Sequence, residues 1–305
     1  MQSSNPIFRR SEGFNGRGDA GAQRNAGNGV SYPAYGAPAT PPPAYGNPSA
    51  WGGAGAPTGQ VPGSPGAPVD QGRMTIDSVV QKTGITMFVV VAVAAATWVL
   101  TGDLDNPDTA SSLYLLSMVG AFVGFGLAMV NSFKKVISPA LVLAYAAFEG
   151  LFVGAFSKVI EGVFGDPTTG TPGLVIGAVL GTIGAVGGTL AAYKFFDIKV
   201  GQKFRTWVVA AMFGFVAVSM LNFVLSFFGA DFGFNGFGTM GLIASLIGLA
   251  LGVLMLILDF DFVERGIEAG LPERESWRAA FGLAVTIIWI YIELLRILAI
   301  LRGND

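Results

Sequence analysis

The chain has 305 residues, of which 52% are hydrophobic and only 12% charged, with a formal net charge of −2. That balance is too apolar for an ordinary soluble domain and points to a membrane protein. There is no cysteine and no histidine, which removes disulfides, thiol chemistry, histidine metal sites and Ser/His or Cys/His catalysis, so no enzyme is expected and any proton-linked behaviour near neutrality falls to carboxyl groups.

Residues 1–72 are dominated by Pro, Gly, Ala and Tyr, with "PAYG" appearing twice. Such a segment cannot bury enough apolar surface to offset its chain entropy, so a disordered tether is expected there. Its tyrosines offer contacts for membrane-protein partners. The opening "MQSSNPIFRRSEGFNGRGDAG" has no apolar core of the kind a secretory signal needs.

Residues 73–305 read as a transmembrane domain. Seven apolar runs lie at about 84–101, 110–131, 139–159, 173–193, 206–228, 237–258 and 279–301, each near the ~20 residues that cross a bilayer as a helix. Only helices can use such runs, because lipid offers no partner to an unpaired backbone group. The expected fold is therefore all-α, with seven transmembrane helices. Ser138-Pro139 and Thr171-Pro172 each place a capping residue before a proline, a helix-start signal.

Charge gives the orientation. Fifteen of the 18 basic residues precede the first run or lie between the second and third, fourth and fifth, or sixth and seventh. The alternate connections, "TGDLDNPDTA", "EGVFGDPTTG" and "GADFGFNGFG", carry no Lys or Arg. The positive-inside rule then predicts a cytoplasmic N-terminus and an exterior C-terminus in a bacterial-type inner or plasma membrane. The fourth run holds Gly173, Gly177, Gly181, Gly184 and Gly188. This small-residue pattern predicts close packing of that helix near the bundle interior or against a neighbour.

Ionisable groups inside the bilayer are costly and mark an internal pair or a function. Glu149 sits mid-helix in "LVLAYAAFEGLFVGAF"; Glu293 and Arg296 sit in "VTIIWIYIELLRILAIL". Glu293 and Arg296 are three apart and share a helix face, so Arg296 is the expected charge partner. Glu149 lies ~15 Å and Glu293 ~21 Å from the cytoplasmic ends of their helices, depths at which the two carboxyls can meet. Two carboxyls and one arginine leave one negative charge too many, so at least one of the two acids is expected to carry a proton near neutral pH. The sixth run ends in "LMLILDFDFVERG". Residues two apart on a helix point about 200° apart, so Asp259 and Asp261 are not expected to face the bundle together. Asp261 precedes Arg265 by four and is expected at the cytoplasmic surface, paired with it. Asp259 has no such partner and is the inward candidate.

"SPALVLAYAAFEG", the helix-six ending "LILDFDFVERGIEAGLPERESW" and the last-helix "ELLRILAIL", in this order, resemble the Bax inhibitor family of membrane proteins, with a tail similar to those of actinobacterial members. The resemblance covers about residues 74–301. It implies a last helix wrapped by the other six and a pH-sensitive calcium leak controlled by paired aspartates on helices six and seven. Asp259 matches the first aspartate. Counting back from "LLR", the second falls at Thr286, which is not ionisable, so this chain departs from the family pattern there. Glu293 lies on the same face ~10 Å along, and Asp261 is the other compensating acid.

Two functions follow as expectations. One is a passive, pH-modulated cation leak, with Asp259, Thr286, Glu293, Glu149 and Asp261 as oxygen donors and calcium as the permeant ion or an ion held at Asp259. The other is a non-transporting regulatory protein, tied to stress survival or to a membrane protease, with partners engaging residues 1–72. The bilayer is the one certain partner; no cofactor and no nucleic acid are expected. A retinal protein is disfavoured because residues 279–301 contain no lysine, and a membrane aspartic protease because they contain no Asp.

Overall fold

The computed structural model describes residues 72–102, 106–166, 172–196, 198–230 and 232–303. Apart from Gly72, the tether expected over residues 1–72 lies outside them. The described residues form seven helices: α1 (Ile76–Leu100), α2 (Pro107–Phe133), α3 (Pro139–Phe164), α4 (Gly173–Phe195), α5 (Gln202–Ser226), α6 (Thr239–Glu268) and α7 (Glu275–Gly303). All seven are long and apolar enough to cross a membrane.

Several helices outrun the apolar stretches that announce them, and local polar groups explain where they stop. α1 starts at Ile76 because Thr75 closes a reciprocal capping box: the Ser78 amide donates to Thr75 Oγ1 at 3.1 Å, and the Thr75 amide to Ser78 Oγ at 3.0 Å. α3 begins at Pro139 behind Ser138, although the serine hydroxyl makes no capping bond. α4 begins one residue later than expected, with Pro172 itself in the cap position; Thr171 lies outside the described residues. The amides of its first turn are served from α3 instead. Glu161 accepts from Val175 N at 2.9 Å and from Leu174 N at 3.3 Å, a carboxylate against the positive end of a helix. α6 runs past Leu258 to Glu268, carried by ion pairs described below.

The last helix is the centre. α7 packs against α1, α3, α4 and α6, while the backbone of α2 comes close only to α3 and that of α5 only to α6, α5 reaching α7 through the Phe215 ring on Trp289. Lipid is as apolar as leucine, so close approach and interlocking, rather than escape from water, hold such helices together. The closest approaches fall on glycines that the α4 stripe did not predict. A Cβ on Gly150 would stand 2.5 Å from Val90 O, one on Gly154 2.6 Å from Ala94 O, and one on Gly120 2.6 Å from Phe152 N. All three are backbone contacts, which fix α3 against α1 and α2. On α4 only Gly177 and Gly181 are used, each receiving a leucine of α7 (Leu298 and Leu294) at 3.2 Å; Gly173, Gly184 and Gly188 face open space. The α4 stripe is thus half a packing surface, and α4 is not interior.

The connections at the two ends are tied separately, which fixes the alternating run of the helices. At the lysine- and arginine-rich end, the lead-in to α1 pairs with the α6–α7 connection: Met74 N donates to Leu271 O at 2.7 Å and Glu273 N to Gly72 O at 2.6 Å. Arg278, fully buried, donates to Glu275 at 2.7 Å and to Lys135 O at 2.9 Å; Arg274 donates to Ile137 O at 3.0 Å. At the other end Lys158 donates to the last carbonyls of α1, Trp98 O at 2.8 Å and Thr101 O at 2.6 Å.

Candidate functional site

One face of α6 carries Gly241, Ser245, Gly248, Gly252, Leu256 and Asp259, all buried and stepping by three or four residues, the spacing of a single helix face. The first four are small, so α7 lies close along that seam. A Cβ on Gly252 would stand 2.9 Å from Ile290 Cγ1 and 3.0 Å from Trp289 Cδ1, and Trp289 Nε1 donates to Gly248 O at 3.0 Å. This small-residue spacing is present in the sequence, where the α4 glycines are the more conspicuous stripe.

At the basic end of the seam the Thr286 hydroxyl donates to Asp259 Oδ2 at 2.6 Å. Both residues are buried, at 6% exposure each. The inward placement of Asp259 follows from its position on the small-residue face. Thr286 occupies the facing position on α7, so the hydroxyl–carboxylate pair is a real contact.

Asp261 departs from the sequence expectation. It is as buried as Asp259, at 5% exposure. It does pair with Arg265, at 3.0 Å, but also with Arg205 of α5. The two aspartates do diverge around α6, as helix geometry requires; the second face is covered too, because the first turn of α5 packs there. Arg265 also donates to Val200 O at 2.8 Å, so the aspartate, two arginines and the α4–α5 connection form one clamp. Arg205 was the residue the sequence concealed: it is far from Asp261 along the chain, and no local spacing connects them.

Toward the opposite end, Glu293 (4% exposed) lies against Gly248, whose Cβ would meet Glu293 Oε1 at 2.6 Å. Ser245 lies beside it, fully buried. Arg296 reaches Glu293 at a long 3.5 Å and spends its Nη2 on Phe234 O at 3.1 Å and Gly236 O at 3.2 Å. The expected pair is therefore loose, and the arginine chiefly pins the α5–α6 connection over the end of the seam. Phe234 and Phe237 of that connection pack as tilted ring pairs against Phe215 (centroids 5.2 Å apart) and Phe164 (4.9 Å).

Glu149 and Glu293 do not meet. The Glu149 carboxylate turns toward α2, where a Cβ on Gly124 would stand 2.7 Å from it, whereas Glu293 turns toward α6, and α2 and α6 make no contact. Depth along the helices was compatible with a meeting; azimuth was not. Among the described residues no three acidic groups converge as a metal site would require, so calcium at Asp259 has no ready-made cage there.

A family model described as Bax inhibitor 1 like matches residues 5–303. The chain belongs to the Bax inhibitor 1 like family. Comparison with curated proteins gives no match. In this Bax inhibitor 1 like chain, the α6–α7 seam thus carries one acid with a hydroxyl partner at the basic end and a second acid two turns along α7.

Proposed function

We propose that this protein passes cations, calcium among them, passively along the α6–α7 seam, and that protonation of Asp259 controls the passage. The observation that supports this reading is the buried Thr286–Asp259 hydrogen bond at 2.6 Å. Asp259 is an intramembrane carboxylate at the joint between two helices, and among the described residues no basic side chain pairs with it. Hard cations favour such oxygen donors, and Glu293 supplies a second further along. The seam is shut between them, where Gly252 meets Trp289 and Ile290, so conduction requires α6 and α7 to part there. The basic-rich end faces the cytoplasm in this reading.

The test is flux through proteoliposomes containing the purified protein, with calcium, proton and potassium reporters across a pH series. Calcium flux that varies with pH, and a flat profile in Asp259→Asn, are expected. Identical pH profiles for the two proteins would remove Asp259 from control. No flux of any of the three ions would favour the second reading, a non-transporting regulator of other membrane proteins. That reading draws its support from the closed packing at Gly252.

A further inference from the structure

On the side of α7 away from the seam lies a crevice of about 490 Å³, within the size range of small-molecule sites. Its walls come from α1 (Ala94, Trp98), α3 (Val153, Ser157), α4 (Val175) and α7 (Tyr291). It exists because α1 and α4 both pack on α7 but not on each other. Its lips, Val91, Val99, Val179 and Ile183, are exposed, and they continue into the apolar outer belt of the bundle. Its floor is deep: Val90, Val153, Ile288 and Tyr291 are at most 9% exposed.

The side-chain hydroxyls on its wall are few, and each is already engaged by the protein. Ser157 Oγ and Tyr291 OH hydrogen-bond each other at 2.7 Å, and Thr182 Oγ1 donates to Ala178 O at 2.7 Å. Water finds few partners in such a space, and a polar ligand would find only the hydroxyl capacity left over by the Ser157–Tyr291 pair and Thr182, and the Trp98 indole at one end. Lys158, next to the Trp98 end, is committed to the α1 carbonyls, so the crevice offers no built headgroup site either. What remains is a hydrocarbon-shaped slot opening sideways into the bilayer.

We infer that this crevice is a binding site for one acyl chain of a bilayer phospholipid, which enters between α1 and α4 and lies against α7. The chain fills a gap that would otherwise leave wall atoms without contacts. It touches Ile287 and Ile288, the residues next to Thr286, and so braces the central helix at the level of the Asp259 contact. The site does not depend on whether the seam conducts.

The test uses the full chain in nanodiscs of phosphatidylcholine bearing a diazirine on its acyl chain, with labelled residues mapped by peptide mass spectrometry. Labels at Val153, Ser157, Ile288 and Tyr291 are expected, beside the surface labels on α2 and α5 that any belt lipid gives. In Ala95→Trp and, separately, Val179→Phe, which fill the crevice from opposite lips, floor labels should fall to background while α2 and α5 labels persist. Floor residues that stay unlabelled in the unmodified protein would overturn the site. So would floor labels that survive both substitutions in protein whose helical content is unchanged. Labelling of the floor by a diazirine isoprenoid but not by the phospholipid would replace the acyl chain as occupant, and would equally overturn the proposal.

Discussion

Replacing Asp261 with Asn separates a buried clamp from a solvated pair. A surface ion pair contributes about 0–1 kcal/mol, whereas removing one partner of a buried pair costs about 3–5 kcal/mol because the other charge is stranded. Asp261 and Arg205 have side-chain exposures of 7% and 12%, but Arg265 is 43% exposed. Arg265 can therefore turn to water when the aspartate charge is lost, and Arg205 cannot. That places Asp261→Asn near the low end of the buried range, about 3 kcal/mol. Arg205→Met in the same chain removes the stranded cation and should recover most of the loss. The measurement is reversible unfolding in mixed micelles, by titration with a denaturing detergent and far-ultraviolet circular dichroism, for both single variants and the double variant. A loss below about 1 kcal/mol for Asp261→Asn would show the clamp to be solvated and refute the reasoning. A double variant no more stable than Asp261→Asn would show that the stranded Arg205 is not the source of the cost.

Three further outcomes are expected. Gly150→Ala drives a Cβ to 2.5 Å from Val90 O and should destabilise by about 1–3 kcal/mol or more, since backbone must move; Gly184→Ala, in open space, should be neutral or stabilising by up to about 1 kcal/mol, and the same detergent titration ranks them. Glu161→Ala removes the acceptor for two α4 amides and should cost about 1 kcal/mol, with faster amide exchange confined to the first turn of α4. In proteoliposomes, Thr286→Val should change the pH profile of flux and Thr286→Asp should steepen it, since two coupled carboxyls titrate as a pair; a Thr286→Val profile equal to the unmodified one would separate Thr286 from control.

The span count, the element order and the inward turn of Asp259 were legible because lipid forces each span to be a helix and because apolar length is a one-dimensional signal. The partner of Asp259 was legible only through the family resemblance, which pointed to Thr286. What escaped the sequence was azimuth. Helical spacing told correctly that Asp259 and Asp261 diverge, but not that α5 covers the second face. Depth suggested that Glu149 and Glu293 share a level, but not that α3 and α7 turn them toward different neighbours. The glycine stripe on α4 was the more conspicuous, yet the spacing that shapes the seam is the mixed one on α6, where a serine interrupts the glycines and a leucine follows them. The crevice could not be read at all, since it arises from two helices that fail to touch.

The central place of α7 bears on how the protein is made. Roughly 200 residues separate the start of α1 at Ile76 from that of α7 at Glu275, so at roughly 5–20 residues per second α1 waits about 10–40 s in the membrane before its core helix is synthesised. During that interval Val90 of α1, Ala146 of α3 and Ala178 of α4, which end up in one cluster around Ile288 and Leu295, lack that core helix, although Val90 already has Gly150 of α3 to pack on. α1, α3, α4 and α6 form a ring whose hub, α7, is made last, with α2 and α5 outside it, so completing the bundle exchanges lipid tails for α7 along the faces that the ring turns inward.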